Sequence, residues 1–316
     1  MSSTEPKDIS IPEVEEHTEP IKYSFFLGCV IPNREVAYEI STRRVCKELG
    51  IELLDMKGAS CCGLPVDTVS HESSLALAAR NLTIAEEMGH DIFTICTGCT
   101  GTLAKANCQL KENRRTRERV NAELGEIGRE FKGTIEVKHL VRSLVEDFGL
   151  NNLRKRIKRP LKSLRIAGHY GCHVLMPSKY LRFDDPGNPH ILNELIELTG
   201  AELVRYEGER DCCGAMILTV NTDLPSELAA TKLHNVKGAG VDALTTICPS
   251  CHRQYDGNQR AAEKRYDEEF GVPVLHYPQL LGLALGIPPE ELALNDLKVK
   301  PTSLVDKLER EREQDS

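Results

Sequence analysis

The sequence has no apolar run approaching the roughly 20 residues of a membrane-crossing helix, so no membrane span is expected. Its first twenty residues, MSSTEPKDISIPEVEEHTEP, lack the apolar core of a secretory signal, and the chain is expected in the cytoplasm. Positive charge is in deficit. The 40 Lys and Arg stand against 48 Asp and Glu, for a formal net charge of −8. That balance argues against a protein that binds nucleic acid by neutralising phosphates. The remaining composition is that of a globular protein, 40% hydrophobic and 28% charged over 316 residues, enough for two domains.

Against this background the 12 cysteines stand out. Two pairs are vicinal, Cys61-Cys62 in GASCCGLPV and Cys212-Cys213 in DCCGAM. Adjacent Cα atoms lie about 3.8 Å apart across a trans peptide, whereas bridged cysteines usually need about 4.4–6.8 Å. A vicinal pair therefore serves something other than its own disulfide. In a cytosolic chain, many cysteines point to metal or redox chemistry.

The chain is written twice. YSFFLGCVIP and LRIAGHYGCHVL each run from an apolar stretch into Gly-Cys, at Cys29 and Cys172. Each half then has a Cys-Cys-Gly and a C-x-x-C, Cys96/Cys99 in DIFTICTGC and Cys248/Cys251 in DALTTICPSC. TIEVKHLVRSLVEDFGL and GVPVLHYPQLLGLALGI close the halves around His139 and His276. The spacings are C-x31-CC-x33-C-x2-C and C-x39-CC-x34-C-x2-C. Five cysteines recovered twice in one order are a far stronger signal than a lone C-x-x-C.

The coarse pattern follows the repeat. Strands are expected near 22–27, 51–55, 91–95 and 134–138, and again near 164–168, 202–206, 242–247 and 272–276. Helical patterns fill 33–49, 69–88, 101–128 and 139–148, with Ser70 placed to cap the second. Strand–helix alternation predicts parallel sheets, hence two pseudo-twofold-related, Rossmann-like α/β domains, each carrying one Cys-Cys-Gly module. The expected division is a 1–20 extension, domains at 21–160 and 161–290, and a charged 291–316 tail. The cysteines then fall after strand carboxyl ends, where open α/β sheets bind ligands.

Five thiolates exceed the four ligands of a structural zinc or an ordinary four-iron cluster. A vicinal pair can place its sulfurs on neighbouring metals, which favours one multinuclear iron–sulfur site per half. Zinc with one additional buried cysteine in each half is the competing reading.

FFLGC, GASCC, HYGCH, CPSCH and PVLHYPQLLGLALG resemble the B subunit of heterodisulfide reductase, over roughly Ile21 to Ile287. The resemblance implies two noncubane [4Fe-4S] clusters. Cys29, Cys61, Cys62, Cys96 and Cys99 would hold one; Cys172, Cys212, Cys213, Cys248 and Cys251 would hold the other. It implies reduction of the mixed disulfide of coenzyme M and coenzyme B to two thiols, by homolytic cleavage between the clusters. It also implies partners: a C subunit with cubane iron–sulfur clusters, a flavin-containing A subunit, and a hydrogenase or formate dehydrogenase in a larger, electron-bifurcating complex. Other Cys-Cys-Gly oxidoreductase subunits and a zinc-bound interaction protein remain alternatives.

His173, beside Cys172, is the candidate catalytic residue, a proton donor to a departing thiolate. His169 is a weaker candidate for the same role, and His252 is expected to support Cys251. His139 and His276 suggest one structural bond used twice. Cys46 and Cys108 lack repeat partners and read as packed rather than ligating. The basic run RKRIKRPLKSLR reads as a solvated connector or partner surface before a substrate funnel. KENRRTRERVNAELGEIGRE reads as an exposed helix face, and LVDKLEREREQDS as a loose helix.

Overall fold

The computed structural model describes residues 13–15, 17, 19–218 and 220–314. Eight short strands form two four-stranded parallel sheets. The first contains β1 (Ile21–Phe26), β2 (Ile51–Asp55), β3 (Ile92–Thr94) and β4 (Val137–His139), in the order β2-β1-β3-β4. The second contains β5 (Arg165–His169), β6 (Glu202–Leu203), β7 (Ala243–Thr246) and β8 (Val274–His276), in the order β6-β5-β7-β8. The repeated order is the structural counterpart of the sequence repeat. β3 and β7 are buried along their whole length, as expected of central strands covered on both faces.

Helix boundaries follow local chemistry. The His71–Met88 helix begins where Ser70 Oγ accepts from the Ser73 N–H at 3.2 Å, and ends at Gly89 in the left-handed region. The helix expected over 101–128 instead starts at Thr97 and divides at Asn113. There the Asn113 side-chain oxygen accepts from the Thr116 N–H at 3.0 Å and starts a new helix, Arg114–Gly125. That second helix buries only Val120 and Leu124 and exposes its charged face. The strand expected near 202–206 shrinks to two residues. The 139–148 helix becomes one α turn, Leu140–Ser143, followed by a π turn over Leu144–Phe148.

The helix expected over 33–49 is broken at Glu35, where φ −132° and ψ 43° leave the helical region between Ile31–Arg34 and Val36–Leu49. The break turns the Glu35 carboxylate into the junction between the halves. There His252 Nδ1 and His276 Nε2 approach it to 2.8 and 3.1 Å. The second half's helix Tyr277–Ala284 packs on Val36–Leu49, and one apolar core runs through both halves. His276 stacks between Tyr38 and His252, with ring centroids 4.0 and 3.8 Å away.

The tail is not loose. Leu304 and Leu308 of the Thr302–Gln314 helix are buried. Lys307 pairs with Asp242, and Ser163 Oγ donates to Glu311 at 2.8 Å. Three of the basic connector's seven cations are tied into the fold: Lys158 pairs with Glu48, Arg159 donates to the Leu308 carbonyl, and Arg165 pairs with Glu202. Residues 1–12, 16 and 18 of the expected extension lie outside the described residues. Within its described part, the carbonyl of Val14 accepts from Asn152 Nδ2 at 3.1 Å.

Candidate metal centre

Each half brings its five cysteines to the carboxyl ends of its strands. Cys29 and Cys172 follow β1 and β5; the vicinal pairs follow β2 and β6. Cys96 caps the Thr97–Glu112 helix at φ −129°, ψ 117°, and Cys248 caps Pro249–His252 at φ −135°, ψ 127°. The two Cys-Cys-Gly turns are also alike. Gly63 and Gly214 take φ +97° and +73°, and their N–H groups point at Cys61 Sγ and Cys212 Sγ from 3.5 and 3.4 Å. Glycine is required by this left-handed backbone. A Cβ at Gly63 would also meet the Ser74 carbonyl oxygen at 2.7 Å, and one at Gly28 would meet Cys99 Sγ at 2.9 Å.

The thiols form a rim and a floor. Cys29, Cys172 and Cys212 are exposed and Cys61 is half-buried, while Cys62, Cys96, Cys99, Cys213, Cys248 and Cys251 are buried. Cys251 Sγ and Cys213 Sγ are 3.4 Å apart. Crowding splits their acidities. Hydrogen bonds from Cys61 and then Cys99 pull Cys62 down, and the same contact pushes Cys61 up. Cys212 and Cys213 behave alike, with Cys251 as the third thiol. Across the junction of the halves, contact with Cys248 pushes Cys96 up. Cys248 is pulled down by Cys251 and then Cys96. Thiols this close cannot all ionise unless a cation sits among them, and metal binding takes thiolates. Two five-thiol sets therefore suit cationic, multinuclear occupants. The floor also carries a buried polar atom with no hydrogen-bond partner among the described residues, His169 Nε2.

The other expected residues fall around this arrangement. His173 Nδ1 lies 3.7 Å from Cys172 Sγ, and that thiol holds the imidazole above its ordinary value against the effect of burial. His252 Nε2 donates to the Val274 carbonyl at 3.0 Å, which fixes the ring behind Cys251. His139 Nε2 donates to the Ile247 carbonyl at 3.0 Å. His139 and His276 thus both reach across to the opposite half, but to different acceptors. Cys46 is buried in the Val36–Leu49 helix, where burial pushes its thiol up to about 12. Cys108 lies half-buried, its thiol raised by burial and by Glu112.

Two side chains that no sequence motif marks bear on the site. Glu35 is held down to about 2: burial alone would raise it, but bonds from His252 and His276 outweigh that. Lys232 is a buried cation. Its Nζ donates to the carbonyls of Gly208 and Glu209 at 2.6 and 3.1 Å, and sits 3.4 Å from His169 Nδ1. A lone Glu or Lys in a helical pattern reads as solvated, so only register against the other half could have exposed them. Two clefts adjoin the thiol sets. One of about 180 Å³ is lined by Leu64, Lys105, His173 and Met176. The other, about 270 Å³, is lined by His169, Cys172, Arg205, Arg210 and Cys212.

The cysteine-rich CCG domain family matches twice, over residues 23–104 and 166–256. The chain is 40% identical to the B subunit of the ferredoxin:CoB-CoM heterodisulfide reductase of Methanosarcina mazei, over 91% of this chain and 97% of that one. It is 36% identical to a protein of Archaeoglobus profundus described as like the B subunit of heterodisulfide reductase, over 86% and 93%. It is 33% identical to the 8-methylmenaquinol:fumarate reductase membrane anchor subunit of Wolinella succinogenes, over 90% and 99%. A crystal structure of a hypothetical protein from Helicobacter pylori superposes with a TM-score of 0.71 at 16% identity. It covers 90% of this chain and 55% of that one, a likeness of fold. The doubled module, its two converging thiol sets and these relatives together place the chain in the cysteine-rich CCG domain family, in the branch that holds the B subunits of heterodisulfide reductases.

Proposed function

We propose that this chain is the catalytic subunit of a heterodisulfide reductase, reducing the mixed disulfide of coenzyme M and coenzyme B to its two thiols. The observation that carries the reading is the pair of five-cysteine sets, each gathered at the carboxyl ends of its own parallel sheet. An oxidoreductase subunit with iron–sulfur clusters is the coarser form of the same conclusion. Bound by the two sets, noncubane [4Fe-4S] clusters would each supply one electron and an iron site for one sulfur of the disulfide.

The chain's own residues do the rest. Cys29, Cys61, Cys62, Cys96 and Cys99 hold one cluster, and Cys172, Cys212, Cys213, Cys248 and Cys251 the other. The buried floor keeps water from the inner thiolates, while the two clefts admit an extended substrate beside the rim. His173 lines the first cleft, beside Cys172, and holds a proton for a leaving thiolate. No helix among the described residues is long and apolar enough to cross a membrane. The reading takes the chain as a cytoplasmic subunit, fed electrons by an iron–sulfur protein within a flavin-containing complex with a hydrogenase or formate dehydrogenase.

The test is anaerobic reduction of the coenzyme M–coenzyme B disulfide by the reconstituted chain with an artificial reductant. Iron and sulfide of about eight each per chain and release of both thiols are expected. Zinc in place of iron would overturn the reading. Full clusters with no disulfide reduction would move the chain to another oxidoreductase complex, a reading favoured by its 33% identity to the fumarate reductase subunit.

A further inference from the structure

The two sites share a frame and differ in charge. From Gly63 to Leu82 and from Gly214 to Leu233 the halves align without a gap. A Cβ on either glycine meets the residue eleven positions on, Ser74 or Pro225. Buried Ala78 and Leu82 match Ala229 and Leu233. In that register Asn81 of the first half stands where the second has Lys232, and both are buried, at 0% and 2% exposure. Asn81 is neutral and spends its amide on the backbone: it donates to the carbonyls of Cys61 and Leu77 and accepts from the Ser60 N–H. Lys232 faces three acceptors, the carbonyls of Gly208 and Glu209 and the ring nitrogen of His169. Three acceptors match the three protons of an ammonium ion. Burial lowers its pKa to about 8, still on the protonated side of neutrality.

A second substitution lies at the strand ends. Three residues before Cys29 stands Phe26; three before Cys172 stands His169. An ammonium ion only donates, so His169 Nδ1 accepts when it pairs with Lys232. His169 is buried, its Nε2 has no hydrogen-bond partner among the described residues, and the ring lies in electrostatic reach of Cys213 and Cys248. The first half offers only an apolar ring at this place. A buried cation in electrostatic reach of Cys213 and Cys251, offset in part by Asp211 and Glu209, with a buried imidazole beside it, favours the form of a nearby cluster that carries the additional electron.

We propose that the Lys232–His169 pair polarises the molecule, making the cluster at Cys172, Cys212, Cys213, Cys248 and Cys251 the more easily reduced of the two. This rests on the cluster-binding function proposed for the two thiol sets. It makes the second site the resting place of the first electron, and the two sulfurs of a bound disulfide meet unequal partners.

The experiment is an anaerobic redox titration followed by electron paramagnetic resonance, on iron-loaded Cys62→Ser and Cys213→Ser chains, each keeping one intact site. The second site is expected to be reduced first, with an electron-transfer equilibrium between the sites of at least tenfold, about 59 mV for one electron. In the Cys62→Ser chain, Lys232→Met and, separately, His169→Phe are each expected to lower that potential with iron retained. Equal or reversed potentials would overturn the proposal, as would Lys232→Met with full iron and an unmoved potential. If Lys232→Met loses its iron, His169→Phe decides, and an unmoved potential there overturns it. A wild-type chain that takes up no iron and sulfide sinks the cluster reading itself. Loaded chains with equal potentials sink the polarity alone.

Discussion

At the scale of single residues, position in the repeat separates the cysteines by task. Cys62→Ser removes a buried thiol of one set and leaves the other set whole. It is expected to lower iron content by about half while the second site's spectrum persists; metal analysis showing complete loss or no loss would refute separate sites. Cys46 and Cys108 lie outside both sets. Replacing both with alanine should leave iron content and spectrum unchanged. His173 has only Val30 as its counterpart after Cys29. His173→Gln should keep both clusters and slow turnover by about 10²–10⁴-fold, the usual range for losing a general acid. Loss of the second cluster would show a structural role instead. The ten cysteines of the two sets were legible because each one recurs in order. Lys232 was not, because its meaning lies in a contrast with Asn81 and in burial, neither of which a helical pattern displays.

At the scale of elements, the sequence pattern located strands and helices but not their interruptions. The break at Glu35 is a local departure of the backbone, and the restart at Asn113 is a single side-chain cap, so periodicity runs straight through both. Glu35 also ties the halves together. Its folded value of about 2 lies below the ordinary 4.5, so its ion contributes stability fully above 4.5 and loses that contribution as pH falls toward 2. Glu35→Ala should cost about 3–5 kcal/mol at neutral pH, the penalty for stripping one partner from a buried charged cluster. Denaturant titrations should show the gap from wild type closing as pH falls from 4.5 toward 2. A gap independent of pH would mean the carboxylate acts only by filling space. The tail helix was misjudged for a related reason. Its charges are conspicuous, whereas its anchors Leu304 and Leu308 are only two residues, four apart.

At the scale of the whole molecule, duplication was legible, and the junction between the copies was not. The junction depends on groups far apart in sequence: Glu35 with His252 and His276, His139 with Ile247, and Cys96 with Cys248. Expressed apart, residues 1–160 would bare Tyr38 and the face of its helix, and residues 161–316 would lack the acceptor for two buried imidazoles. Neither half alone is expected to stay soluble and load its share of iron, whereas co-expression should restore both properties. A soluble, loaded single half would show that the junction serves only contact. The rim and the floor bear on how such a protein wears out. An oxidant arriving from solvent meets Cys29, Cys172 and Cys212 long before the six buried thiols beneath them. Injury in storage should therefore begin at the outer edge with the sheets still standing. A spoiled preparation should be recoverable with reductant, iron and sulfide, without passing through the unfolded chain.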